Sequence, residues 1–103
     1  MTALLEPQPQ PIPDAVLLKR LAKRDSTALI ELERRHRNSL YAQAFGILMD
    51  AAAAERVVRN TFSRLWFEAP EYASMPAAWD LLREITRELA RDEQTLRTSA
   101  RWR

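Results

Sequence analysis

The sequence predicts an all-α fold, a compact four-helix domain, on three observations. One glycine in 103 residues, within a composition rich in alanine, leucine, arginine and glutamate, favours helix over a turn-rich sheet protein. Apolar residues recur three and four apart over long stretches, the spacing of one helix face. No cysteine is present, which rules out a disulfide framework and a thiolate metal site and leaves the core to hold the chain together. A chain of this length buries roughly 60–65% of its unfolded surface, enough for one core and not two. Residues 1–13 are read as a flexible proline-rich tail, 14–95 as the helical domain, and 96–103 as a basic C-terminal tail or the start of a linker. No apolar run approaches the roughly 18–20 residues of a membrane span, and Met1 to Pro13 lacks the pattern of a signal peptide. A cytoplasmic location without membrane contact is expected. The net charge is +2 and the isoelectric point about 9.5, a balanced surface that permits nucleic-acid binding without demanding it.

The first helix is expected over Ala15 to Arg24, capped by Asp14, with Val16, Leu17, Leu18 and Leu21 as its apolar contribution. Lys19, Arg20, Lys23 and Arg24 face elsewhere and include the last turn, where cations complement the helix dipole. Asp25 or Ser26 caps a longer second helix running to about Met49. Its apolar face is Leu29, Leu32, His36, Leu40, Ala44 and Ile47, widened by Ile30, Tyr41, Phe45 and Leu48. His36 is the one histidine and reads as a core or half-buried side chain. Glu31 and Arg35, four apart, form a weak pair. Gly46 costs about 1 kcal/mol against alanine and suggests close packing at that turn.

The third helix is the most strongly determined. Asp50 caps it, alanines favour its first turn, and Pro70 biases Ala69 out of helical geometry. Ala54, Val57, Val58, Thr61, Phe62 and Leu65 form its inner face, whereas Glu55, Arg56, Arg59, Asn60 and Ser63 form the outer one. Ala69 to Met75 reads as a loop. Pro76 then enters the first turn of a fourth helix, with Ser74 or Met75 near its cap. Trp79, Leu82, Ile85 and Leu89 give the buried stripe, joined by Leu81 and continued by Leu96.

The fourth helix carries Arg83, Arg87 and Arg91 in one row and Asp80, Glu84, Glu88 and Asp92 in another. Members of the two rows lie three apart and can pair along the helix, each exposed pair contributing only about 0.2–0.5 kcal/mol. Nothing resembles a catalytic constellation. One histidine and no cysteine exclude most nucleophile and base arrangements, no glycine-rich phosphate loop exists, and the carboxylates lie on charge-paired faces. A non-enzymatic protein with no cofactor and no metal is expected.

The stretch Ala53-Ala54-Glu55-Arg56-Val57-Val58-Arg59-Asn60-Thr61-Phe62-Ser63-Arg64-Leu65-Trp66 resembles a conserved helix of region 2 in the extracytoplasmic-function sigma factors of bacterial RNA polymerase. That family typically reads D-A-E-D-V-V-Q-E-T-F-L-R-L-W here. The similarity extends through Arg34-Arg35-His36-Arg37 and Leu40-Tyr41-Ala42 upstream, and through Ile85 to Asp92 downstream. It implies a four-helix sigma region 2 domain acting in transcription initiation. The third helix's outer face, Glu55, Arg56, Arg59, Asn60 and Ser63, would dock on the clamp helices of the polymerase largest subunit. Trp79, Arg83, Arg87, Glu88 and Arg91 would meet the minus-ten element of promoter DNA. Arg56, Arg59 and Asn60 stand where the family usually carries Asp, Gln and Glu, and Glu88 stands where it carries Asn. The alternative is a diverged sigma-like interaction domain that binds an anti-sigma factor or another regulator without directing transcription.

Overall fold

The computed structural model describes residues 11–101, and those residues are all-helical, with no strand among them. Five helices follow in order: α1 (Asp14–Ala22), α2 (Ser26–Leu48), α3 (Ala51–Phe67), α4 (Ala69–Tyr72) and α5 (Ala78–Arg101). The proline-rich lead-in lies outside the described residues up to position 10, as do residues 102 and 103.

Asp14 is the first residue of α1 and not its cap. Pro13 takes the cap position without a side-chain bond, while the Asp14 carboxylate reaches α2, 2.9 Å from Arg35 and 2.7 Å from His36. An ion pair between helices thus replaces the expected local cap. The helix ends at Ala22, two residues early, because Arg24 turns into left-handed backbone at φ 65°. Asp25 is the cap of α2, accepting from the Thr27 N–H at 3.0 Å.

Along α2 the buried positions are Ala28, Leu32, Leu40, Ala44 and Leu48. This i, i+4 stripe leaves Leu29, Tyr41 and Ile47 half-buried. Ile30 and Phe45 do not widen it, being 64% and 36% exposed, because they project away from the side on which α1, α3 and α5 pack. Gly46 permits no close approach either: a side chain there would meet nothing within 4 Å. Met49, in left-handed backbone, closes α2, and Asp50 opens α3 by accepting from the Ala53 N–H at 3.0 Å.

The expected inner face of α3 is buried throughout. The segment after it forms α4 where a loop was expected. Pro70 sits in its first turn, where a missing N–H is harmless, and Ala69 is buried against the core. Pro76 precedes α5, whose first helical residue is Ala78. Within α5, Leu82 and Ile85 are buried as expected, together with Ala78, Thr86 and Ala90. Trp79, Leu81 and Leu89 are half-buried. Leu96 is 67% exposed and does not continue the stripe, since the buried clusters end at Ala90. The helix itself runs on through Arg101 into the segment read as a tail.

Two apolar clusters make the core. The larger joins Leu17, Leu18 and Leu21 of α1 to Leu32, Leu40, Leu65 and Leu82. The smaller joins Ala44 and Leu48 to Ala53, Ala54, Val57 and Ala90, and Tyr41 packs on both. The pair α2 and α3, linked by Met49 and Asp50, lies back to back with α5, and this leaves one long face of each helix toward solvent.

Candidate functional site

Two surfaces carry the residues singled out in the sequence. On α3, the side chains of Glu55, Arg56, Arg59, Asn60 and Ser63 are all exposed, a consequence of the inner face taking every apolar position. Beside them a groove of about 380 Å³ runs between α2 and α3, with Leu29, Val58, Phe62 and Trp66 along its floor. Glu33 and Arg37 rim it from α2, and Glu55, Arg59 and Ser63 rim it from α3. Three of the five outer-face residues therefore share one concavity. Arg56 turns away from it and pairs with Glu93 of α5 at 2.7 Å. Arg24 donates to the carbonyl of Trp66, and its guanidinium lies 5.2 Å over the Trp66 ring. Phe67, next along, is 74% exposed.

The α5 residues do not act as one unit. Trp79 and Arg83 come together, the guanidinium lying 5.9 Å from the indole centroid. Trp79 also stacks on His36, with centroids 5.5 Å apart and planes 27° apart. His36 is half-buried, as read from its position, and Asp14 anchors it. Arg87 pairs with Glu84 at 3.9 Å within α5, whereas Glu88 reaches across to Arg64 of α3 at 3.3 Å. Arg91 is exposed and has no carboxylate within salt-bridge distance among the described residues. Of the expected pairings between the two charged rows, one forms.

Several members of these surfaces escaped sequence reading. The Asp14, His36 and Trp79 chain joins three helices and leaves no local pattern. Arg64 is a second junction, bonding Glu68 at 3.2 Å as well as Glu88. Its four-residue spacing to Glu68 was the available signal. Tyr72 of α4 also donates to Glu68, and the Tyr72 and Arg64 bonds hold the Glu68 carboxyl below its ordinary range. Glu31 accepts from Arg34 as well as the expected Arg35. Asp50 is held low by the Ala53 N–H and by the charge of Arg97, which lies 3.2 Å from it and ties α5 to the α2–α3 corner.

Chemically these surfaces suit contact with a macromolecule. The groove is open, its polar groups are split between two acids and two bases, and no buried side-chain polar atom among the described residues lacks a partner. Among the same residues no group of three or more metal-ligating side chains is assembled, and no helix is long and apolar enough to cross a membrane. Comparison with protein-family models, with curated proteins and with solved structures found no match.

Proposed function

We propose that this chain is a sigma region 2-like domain that docks on RNA polymerase through the outer face of α3 and engages the minus-ten promoter element through α5. The observation that carries the reading is the α2–α3 groove. An apolar floor flanked by Glu55, Arg59 and Ser63 is suited to receive a helical partner, with the charged rim setting register. Clamp helices are such a partner. On α5, the half-buried Trp79 beside Arg83 offers an aromatic side chain and a phosphate-binding cation in one place.

A second reading is favoured by the ion pairs. Arg56 is matched by Glu93, Arg64 by Glu88, and Arg87 by Glu84, so the surface around α5 is largely self-neutralised. Little counterion release remains there for DNA. That suits an interaction domain that binds an anti-sigma factor or another regulator in the same groove.

Binding to an isolated clamp-helix fragment separates the two, with an Arg56→Asp, Arg59→Gln, Asn60→Glu variant measured alongside. Micromolar binding by the natural sequence supports polymerase docking. Failure of the natural sequence with gain by the variant assigns the groove to a regulatory protein instead.

A further inference from the structure

We propose that the outer face of α1 binds the phosphates of single-stranded nucleic acid, with Phe67 as the adjoining base-stacking platform. The inference goes beyond the proposed function and adds a nucleic-acid contact apart from that of α5. Lys19, Arg20, Lys23 and Arg24 are all exposed. Lys19 and Arg20 lie on the side of α1 away from the buried Leu17, Leu18 and Leu21, and Lys23 and Arg24 follow in the turn that ends the helix, Arg24 in left-handed backbone. Residues 19–24 thus hold four cations and no acid.

The pairing pattern sharpens this. Arg34, Arg35, Arg56, Arg64, Arg87 and Arg97 each meet a carboxylate. Among the described residues, none of the four cations at 19–24 does; Arg37, Arg59, Arg83 and Arg91 lack such a partner too, but Arg37 and Arg59 share the groove rim with Glu33 and Glu55, and the other two stand on the acid-rich α5. The four fall within six consecutive residues, where like charges repel each other. A short helix end needs one or two cations to complement its dipole, and this one carries four with no acid between them. Unpaired, clustered cations are the groups whose counterions a polyanion displaces.

The aromatic neighbour favours a single strand over a duplex or a lipid surface. Arg24 ties the turn after α1 to Trp66, and Phe67, the next residue, is 74% exposed and lines the α2–α3 groove together with Trp66. An exposed ring next to a phosphate-binding row is the arrangement that holds unstacked bases. The cationic face itself has only Val16 as an apolar member, 38% exposed. It lacks the bulky side chains that anchor an amphipathic helix in a bilayer.

The test is fluorescence anisotropy of a labelled oligothymidylate titrated with the full chain at several salt concentrations. The natural sequence should bind with a log–log salt slope of about −2 to −3, as expected for three or four phosphate contacts on a single strand. A Lys19→Gln, Arg20→Gln, Lys23→Gln variant should lose at least tenfold in affinity and most of that slope. Arg24 is kept because it packs on Trp66, and circular dichroism checks that the variant folds. Phe67→Ala should weaken binding about fivefold or more with the slope unchanged. Arg34→Gln, at an exposed arginine outside both surfaces, should leave binding unaltered, and Arg83→Gln and Arg91→Gln report separately on the α5 contact. Loss in the α5 variants with none in the α1 variant overturns the inference while leaving promoter contact by α5 standing. Tighter binding to phosphatidylserine vesicles than to the oligonucleotide overturns it as well.

Discussion

Glu31 sits between two guanidinium groups one residue apart, and its bonds from Arg34 and Arg35 hold its carboxyl at about 2 against an ordinary 4.5. A carboxyl depressed on folding contributes stability above its unfolded value and gives it up as the pH falls toward the folded one. The window is therefore about pH 4.5 down to about 2. Thermal melts of Glu31→Gln should show a lower Tm than the natural chain above this window and a gap that closes within it. The gap should not exceed about 5 °C, because the carboxylate and Arg34 are open to solvent and screened. A gap that stays constant down to pH 2 would mean that the two arginines hold Glu31 no better in the folded chain than in the unfolded one. Asp14 differs in kind: it joins α1 to α2 through Arg35 and His36, so its contribution lies in docking one helix on another.

Between elements, α3 and α5 meet at a buried pair of threonines. Thr61 donates its single hydroxyl proton to the Val57 carbonyl at 2.9 Å, so the 3.1 Å contact with Thr86 is a bond that Thr86 donates. The two substitutions are then unequal. Thr61→Val strands a buried hydroxyl proton and should cost about 1–3 kcal/mol, whereas Thr86→Val removes only the donor and should cost about 0.5–1.5 kcal/mol. The double variant should cost less than the sum, since it buries no unpaired polar group. Urea denaturation of all three checks this, and a larger cost for Thr86→Val than for Thr61→Val would reverse the donor assignment. These threonines also show where sequence legibility stops. Thr61 fell on the apolar face of α3 and was read correctly, because Asp50, the alanines and the three-and-four spacing all point the same way. Thr86, Ala78 and Ala90 are small or polar and add nothing to an apolar period, so the inner face of α5 was only partly visible. The helix at Ala69–Tyr72 was hidden by Pro70, a residue that breaks helix interiors and opens helix starts equally well. The exposed face of α3 was legible for the same reason as its buried face. The pairings of Arg56 with Glu93 and of Arg64 with Glu88 were not, because cross-helix contacts leave no periodic trace.

Across the whole molecule, the larger cluster draws side chains from every helix, and Tyr41 links it to the smaller one. No helix is an appendage, and α1 least of all: nine residues long, it places Leu17, Leu18 and Leu21 fully in the core. The basic outer face of α1 is thus mounted on one of the best-buried segments of the fold, which fixes the cations in position while leaving their heads in water. Such a chain should unfold in one step. Leu21, with no exposed surface, gives the sharpest test. Leu21→Ala removes a side chain from the point where α1 meets the core and should cost about 2–5 kcal/mol, a large share of the roughly 5–15 kcal/mol typical of a domain. If the core is one cooperative unit, the loss appears as a single shifted transition, with tryptophan fluorescence and far-ultraviolet circular dichroism coinciding. If α1 were separable, the variant would melt in two stages. Circular dichroism would then report an early loss of α1 and α4 while the signal from α2, α3 and α5 persisted.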